Sequence, residues 1–360
     1  MHVAMLVESA SPARPSGVER SAAAVIDGLR ARGVRVTVLS ATLGPTGGHG
    51  DALAVDMRAR FQILRGYRPW VRSVHEVLRQ VAPDVVHGQG LLHNGVAAAR
   101  WSGCPSVVTA HGDPVQDARW HYPRLALPLL VPLVRAAATE AVADTNALVD
   151  VSPDWSVNCP REPHDWVYIP NPVGDAFYGA APPVPSERVL YFGGGRHIKG
   201  LDILLDAWPL VASAHPAATL HVWGLPGDGG SALASRCRAT PGCVVEGVAE
   251  GDGVAEAMRG GGVLVVPSRY EVAPVAIAEA WAIGLPVVAT AVGGVPALAR
   301  GAAALCEAED PAALAAGIVR ALERGGETEL MVTEGRMRAE AHRVAAVADA
   351  HIALYERLLG

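Results

Sequence analysis

Short apolar, often β-branched runs alternate along this chain with segments of helical periodicity. The runs predict buried strands, which we place at 2–7, 34–39, 84–87, 106–110, 189–192, 219–223, 243–246, 263–266 and 286–291. Apolar residues three and four apart predict helices at 18–32, 93–101, 201–212, 274–283, 310–324 and 331–358. Strands that alternate with helices are typical of α/β folds with parallel sheets. With 360 residues, two domains are expected.

The border between the two predicted domains lies in a segment rich in proline and alanine. Residues 174–188 show neither strand nor helix periodicity, so we place the interdomain linker there. The sequence therefore predicts a first domain over 1–175 and a second over 186–335. Residues 336–360 are expected to form a C-terminal helix.

The stretch 263–296 carries two carboxylates around one predicted helix. Glu271 lies in the loop after the strand, and Glu279 lies within the helix that begins at Pro274. A helix N-terminus offers free backbone N–H groups and a positive dipole end to an anion. Amides for a phosphate and glutamates for hydroxyls would suit a phosphorylated sugar. The alternative is two ordinary glutamates on the solvated edge of a helix.

A glycine-rich loop follows the strand at 189–192. It reads Gly-Gly-Gly-Arg-His-Ile-Lys-Gly, with Arg196 and Lys199 as its cations, and Lys199 is the only lysine in the chain. Glycines permit a close backbone approach to a ligand, and both cations suit phosphate oxygens. A plain strand-to-helix turn would have a similar sequence.

Two histidines stand where predicted strands end. Ligands of open α/β sheets gather beyond the carboxyl ends of the strands, which makes His87 and His111 candidate site residues. The loop after the first strand has no G-x-G-x-x-G, which disfavours a dinucleotide-dependent dehydrogenase.

Charge and cysteine content exclude some classes of function. The net charge of −6 gives no basic excess for nucleic acid. Five cysteines, an odd number without a C-x-x-C pair, favour a reduced, cytoplasmic setting. The N-terminus lacks the pattern of a signal peptide, and no apolar run reaches the ~18 residues that a spanning helix needs. We therefore expect no transmembrane segment, although peripheral membrane contact stays open.

Two apolar stretches of the predicted first domain have more than one interpretation. Residues 57–80 combine six arginines with apolar residues, as either a solvated helix pair or a surface for an anionic lipid or acceptor. Residues 125–134 are apolar but carry Pro128 and Pro132, and we expect them to pack in the core.

The motifs together resemble the retaining glycosyltransferases of family 4, which have the GT-B architecture. The resemblance rests on Pro-Ser-Arg-Tyr-Glu271, the seven residues that separate it from Glu279, and the strand Gly-Leu-Pro-Val-Val-Ala-Thr that follows. It implies two doubly wound, Rossmann-like domains that face each other across a cleft. It also implies that the final helix crosses back to the first domain.

The resemblance assigns expected roles to residues of this sequence. It implies a catalytic set that contacts the donor sugar and diphosphate, namely His111, Arg196, Lys199 and Glu271. It implies further donor contacts from Gly17, Gly194, Gly195, Gly224, Val248, Ala273, Pro274, Val275 and Glu279, the last to the ribose. Ser16 and His87 are expected on the acceptor side.

Three features of the sequence depart from the family pattern. Val272-Ala273-Pro274 replaces a glycine-rich triplet, Ser16 replaces a glycine, and the spacing between Arg196 and Lys199 is shorter than usual. Contacts to the sugar and to the diphosphate are therefore expected to differ in detail.

The resulting hypothesis is a retaining glycosyltransferase that moves a sugar from a nucleotide-diphosphate sugar to a hydroxyl acceptor. No D-x-D occurs in the sequence, so we expect no metal and no cofactor beyond the co-substrate. A UDP-sugar is the expected donor, and a small soluble molecule such as a cyclitol is the expected acceptor. A lipid or polysaccharide acceptor at the membrane surface is an alternative. A glycoside hydrolase using Glu271 and Glu279, or a non-catalytic nucleotide-sugar-binding protein, are alternatives of another class.

Overall fold

The chain folds into two compact units. The computed structural model describes residues 1–9, 17–42, 52–55, 62–154, 165–179, 186–225, 232–249 and 253–360. The first unit comprises Met1–Pro172 and Val344–Gly360, and the second comprises Val173–Arg343. The expected linker thus begins inside the second unit, because a 3₁₀ turn at Asp175–Phe177 buries Phe177 in that unit's core.

A seven-stranded, all-parallel sheet forms the centre of the first unit, in the order β3-β2-β1-β4-β5-β6-β7. Its strands are β1 His2–Ser9, β2 Arg35–Thr42, β3 Ala52–Ala54, β4 Val85–Gln89, β5 Ser106–Ala110, β6 Ala147–Asp150 and β7 Trp166–Tyr168. Its helices are α1 Gly17–Ala31, α2 Arg68–Val81, α3 His93–Ala99, α4 Pro114–His121, α5 Leu127–Asp144 and, from the end of the chain, α13 Val344–Leu359.

The second unit has a six-stranded parallel sheet in the order β10-β9-β8-β11-β12-β13. Its strands are β8 Arg188–Phe192, β9 Thr219–Trp223, β10 Cys243–Gly247, β11 Val263–Val266, β12 Val287–Thr290 and β13 Ala304–Cys306. Its helices are α6 Leu201–Ala214, α7 Ala232–Ala239, α8 Gly253–Arg259, α9 Val275–Ile283, α10 Val295–Ala299, α11 Pro311–Glu323 and α12 Gly326–Ala339.

Each sheet is covered by helices on both faces. Successive side chains of a strand point to opposite faces, and in these strands the side chains on both faces are apolar and need burial. In β11, Val263 and Val265 belong to one apolar cluster of the second unit, and Leu264 and Val266 belong to the other. Both sheets run outward from a central strand pair in the order of a Rossmann fold. The predicted fold class of two doubly wound, Rossmann-like units is confirmed.

The end of the chain corrects one prediction. The expected helix over 336–360 is interrupted: α12 ends at Ala339, and α13 begins at Val344 in the first unit. Between them the backbone carbonyl of His342 accepts a hydrogen bond from the Val173 N–H, at 2.7 Å. This tertiary contact replaces a helical one, and no pattern in the sequence marks it. Helix α13 packs against α1.

Helix α5 corrects another prediction, since its first turns do not lie in the core. Leu125, in the 3₁₀ turn that leads into α5, is 97 % exposed, and Leu129 is 63 % exposed. Burial begins at Val134 and continues through small residues such as Ala137. Among the described helices, Arg124–Asp144 is the one that length and composition would allow to cross a membrane, and 28 % of its most apolar window is buried.

Candidate active site

The sequence-predicted donor residues of the second unit lie at the carboxyl edge of its sheet. The glycine-rich loop follows β8, the loop of Glu271 follows β11, and Gly293 follows β12. Because neighbouring parallel strands end at one edge, these three loops come together although as many as 100 residues separate them in sequence.

Lys199 and Glu271 are in direct contact at this edge. The Lys199 Nζ donates to Glu271 Oε1 at 2.6 Å, and the Ser268 hydroxyl donates to the same oxygen at 2.8 Å. The lysine side chain is 31 % exposed and the glutamate 11 %. The ion pair is therefore accessible from solvent while the carboxylate is held from two sides.

Two glycines permit this packing. A Cβ at Gly200 would lie 1.9 Å from the Pro267 carbonyl oxygen, and one at Gly293 would lie 1.9 Å from that of Glu271. Both also have positive φ angles, of 70° and 53°. A larger residue at either position would displace the loop that presents Glu271.

Ion pairs of Arg269, which the sequence did not reveal, hold the same loop in place. The Arg269 guanidinium donates to both carboxylate oxygens of Asp202 on α6, at 2.8 and 2.7 Å, and also pairs with Glu309. The hydrogen bonds from Arg269 lower the pKa of Asp202. Arg269 was visible as a member of the Pro-Ser-Arg-Tyr-Glu motif, but its partners come from distant segments.

Glu279 lies within α9, which begins at Val275 immediately after Pro274 and ends at Gly284, as predicted. Glu279 is only 6 % exposed, so it does not lie on a solvated helix edge. Ala273, Pro274 and Val275 are half-buried at the start of the helix. A buried carboxylate one turn into the helix is consistent with a role in holding a ligand.

The remaining donor-side candidates border the ends of β8, β9 and β10. The Gly194 N–H donates to the Trp223 carbonyl at 3.3 Å, and the Gly224 N–H donates to the Gly247 carbonyl at 2.6 Å. These bonds tie the three loops together. The structure leaves Gly195, Arg196 and Val248 exposed in these loops.

In the first unit, His111 follows β5 and is oriented by Gln89 at the end of β4. Its Nε2 lies 2.7 Å from Gln89 Oε1, an acceptor, so this nitrogen carries the proton and Nδ1 does not. Burial, with a smaller contribution from His351, lowers the pKa of His111 to about 4. The imidazole is therefore neutral near pH 7. No sequence pattern marked Gln89.

His87 does not occupy the accessible position expected of an acceptor-side residue. It is fully buried, and its ring nitrogens contact the hydroxyls of Tyr355 at 2.6 Å and Thr109 at 2.7 Å. We assign it a structural role, because β4 turns this side chain into the interior. Gly17 is the first residue of α1, whereas Ser16 lies outside the described residues.

Family models match both units. Residues 186–324 match the model "Glycosyl transferases group 1", and residues 15–175 match the model "Glycosyltransferase Family 4". No curated protein sequence matches the chain significantly.

Solved structures with the same fold extend over almost the whole chain. Sucrose-phosphate synthase from Thermosynechococcus elongatus superposes with a TM-score of 0.80 at 18 % identity, covering 99 % of this chain and 98 % of that one. WaaG, a glycosyltransferase involved in lipopolysaccharide biosynthesis, has a TM-score of 0.73 at 18 % identity, covering 99 % and 100 %. HepE of Anabaena, in complex with UDP-glucose, has a TM-score of 0.72 at 18 % identity, covering 99 % and 100 %.

The two Rossmann-like units and these structural neighbours define the GT-B fold, and the family models identify a glycosyltransferase. Together the two family models span most of the sequence. The chain belongs to the family 4 glycosyltransferases, as its motifs indicated.

Proposed function

We propose that this glycosyltransferase transfers a sugar, with retention of the anomeric configuration, from a nucleotide-diphosphate sugar to a hydroxyl acceptor. The observation that carries this proposal is the contact at the edge of the sheet between Lys199, in the glycine-rich loop after β8, and Glu271, in the loop after β11. This contact sets an ammonium beside a carboxylate, which supports a role for the cation at a phosphate and for the carboxylate at a sugar hydroxyl.

The proposed role of Lys199 is to stabilise the departing diphosphate. Negative charge grows on that group as the glycosidic bond breaks, and a preorganised cation lowers the barrier. Arg196 and the N–H groups at the start of α9 are proposed to assist, since a helix N-terminus favours an anion. With these groups on the protein, we propose a reaction that needs no metal ion.

The two glutamates are proposed to hold different parts of the donor. Glu271 would accept hydrogen bonds from the donor sugar, and Glu279 from the ribose. On the first unit, neutral His111 would face the donor sugar with its unprotonated Nδ1. Buried or partly buried carboxylates accept hydroxyl hydrogen bonds strongly because the bonds are charge-assisted.

The proposed bond changes occur on one face of the sugar. The bond between the anomeric carbon and the diphosphate oxygen breaks, and the acceptor oxygen bonds to that carbon from the same side. The acceptor's proton goes to the leaving diphosphate, so no protein nucleophile is required. This accounts for retention without a covalent enzyme intermediate.

The proposed donor is a UDP-sugar, which the complex of HepE with UDP-glucose supports by analogy of fold. The expectation of a small soluble acceptor depended on the lack of an apolar segment suited to membranes. The exposed leucines before and within α5 weaken that basis. We therefore propose the acceptor only as a hydroxyl-bearing molecule.

A thermal-shift screen of UDP, GDP, ADP and their sugars tests the donor, because a ligand of the native state raises the melting temperature. We expect stabilisation by UDP and by at least one UDP-sugar.

NMR of the transfer product tests retention. The anomeric configuration of the transferred sugar should be the same as in the donor, and the rate of transfer should be the same with and without EDTA. An inverted product would refute retention. Release of free sugar from a simple glycoside without nucleotide would instead identify a hydrolase.

A further inference from the structure

We propose that the first unit docks on an anionic lipid bilayer through the surface formed by Leu64, Trp120, Tyr122, Leu125 and Leu129. These five side chains are 41 % to 97 % exposed. We call this the α5 surface. The inference is independent of the proposed transfer reaction.

The exposed apolar residues are concentrated at one place. Sixteen large hydrophobic residues are exposed in the described part of the chain, and four of them fall within residues 120–129. Leu125 and Leu129 are four residues apart on continuous helical turns, so they lie on the same side. Isolated exposed leucines are ordinary, but a cluster marks an interaction surface.

Leu64 joins this surface through the packing beneath it. The 3₁₀ turn Gln62–Arg65 carries Ile63, which packs with Val131 of α5 on a small cluster of Val115, Ala118 and Val134. The buried neighbours of the exposed residues are thus in contact with each other. The turn, α4 and α5 form one continuous support.

The charge of the α5 surface identifies its partner. The segments that carry the α5 surface, residues 62–80 and 114–144, contain seven arginines against four acidic residues, Glu76, Asp117, Glu140 and Asp144, in a chain whose net charge is −6. All seven arginines are exposed: Arg65, Arg68, Arg72, Arg79, Arg119, Arg124 and Arg135. Arginine clusters beside exposed aromatic and leucine side chains match an anionic headgroup layer above an acyl region.

Helix α5 is suited to lie on the bilayer rather than to span it. Its second half is fixed in the unit, with Ala138, Ala141 and Val142 buried. Only the turns around Leu125 and Leu129 remain available for insertion. Pro128 and Pro132 lie within the exposed half, where the helix begins.

Sedimentation of the full-length protein with sucrose-loaded vesicles tests the proposal without any substrate. The vesicles contain phosphatidylcholine alone or with about a third of phosphatidylglycerol, at about 0.1 M and about 0.5 M salt. We expect binding to the anionic vesicles at low salt and release at high salt. Neutral vesicles should bind at least tenfold more weakly, because each arginine near the surface contributes about a fivefold gain.

Matched substitutions assign the binding to the α5 surface. Leu125→Glu/Leu129→Glu should lower the partition coefficient at least about tenfold. The reason is that full burial of one leucine side chain in an apolar environment favours the bound state by about tenfold or more. The control is Leu330→Glu/Met337→Glu on α12 of the second unit, where the wild-type side chains are 73 % and 61 % exposed. This control variant should bind the anionic vesicles as strongly as the wild type does. Circular dichroism and melting temperature should match in all three proteins.

Three results would overturn the proposal. One is the absence of binding to anionic vesicles, and another is equal loss of binding in the α5 and α12 variants. The third comes from light scattering without lipid. A wild-type dimer that Leu125→Glu/Leu129→Glu converts to a monomer would make the α5 surface a contact between copies of the chain.

Discussion

Replacing Lys199 by alanine removes the cation that we propose for the diphosphate. In the structure its ammonium contacts Glu271 at 2.6 Å, and Ser268 provides a second hydrogen bond to that carboxylate. Loss of the lysine therefore leaves Glu271 with a partner. We expect the loop to keep its conformation, because Gly200, Gly293 and backbone contacts hold it independently.

Two magnitudes separate the catalytic effect from a structural one. The ion pair is 31 % and 11 % exposed, so its loss should lower the free energy of unfolding by about 1 kcal/mol at most. Removal of one preorganised stabilising group lowers kcat by about 10²–10³, or roughly 3–4 kcal/mol. If Lys199 acts on the departing diphosphate, kcat should fall more than the donor KM rises.

Steady-state transfer kinetics on Lys199→Ala, Lys199→Arg and a matched control decide this. The control is Arg100→Ala, since Arg100 is also 31 % exposed and pairs with Glu140 in the first unit. We expect it to affect stability to a similar extent but not kcat. Lys199→Arg should recover only part of the rate, because a planar guanidinium is broader than an ammonium. An arginine variant at the wild-type rate, or Lys199→Ala within about threefold of it, would refute this reasoning.

Three further predictions follow from single positions. Glu279→Gln should weaken binding of the free nucleotide diphosphate by about 1–3 kcal/mol in calorimetry, and equal affinity would exclude the ribose role. Gly293→Ala should lower the melting temperature and kcat more than Gly301→Ala, which has the same kind of positive φ but no atom within 4 Å of its Cβ; equal losses would show that the contact with the Glu271 carbonyl is unimportant. Burial lowers the pKa of His351 to about 4. The contribution of neutral His351 to the free energy of unfolding should therefore be fully present above pH 6.5, and it should be lost towards pH 4 because the unfolded chain takes up the proton first. In urea titrations His351→Gln should reduce that slope by up to about 1.4 kcal/mol per pH unit, and an unchanged slope would contradict the shift.

The parts of the candidate site that the sequence predicted are local motifs. The turn at Pro267, the start of α9 after Pro274 and its end at Gly284 follow from backbone preferences of single residues. The glycine-rich loop and its lysine were likewise visible as a short motif after a strand. Such features depend on neighbours within a few residues, which the sequence displays directly.

The parts that the sequence did not predict depend on distant segments. Asp202 and Glu309 become partners of Arg269 only because the sheet brings α6 and the end of β13 to the loop after β11. Gln89 reaches His111 because β4 and β5 are neighbours that end at the same edge. Neither pairing leaves a periodic or compositional signal.

The sequence by itself determined the fold class, since strand and helix periodicities reflect which faces must be buried. Burial of individual side chains was decided by the tertiary structure. The apolar run at 125–134 lies partly outside the core, His87 lies inside it, and Glu279 is buried within its helix. The physical reason is that periodicity shows which face of an element is apolar, whereas only the packing of other elements determines whether that face is covered.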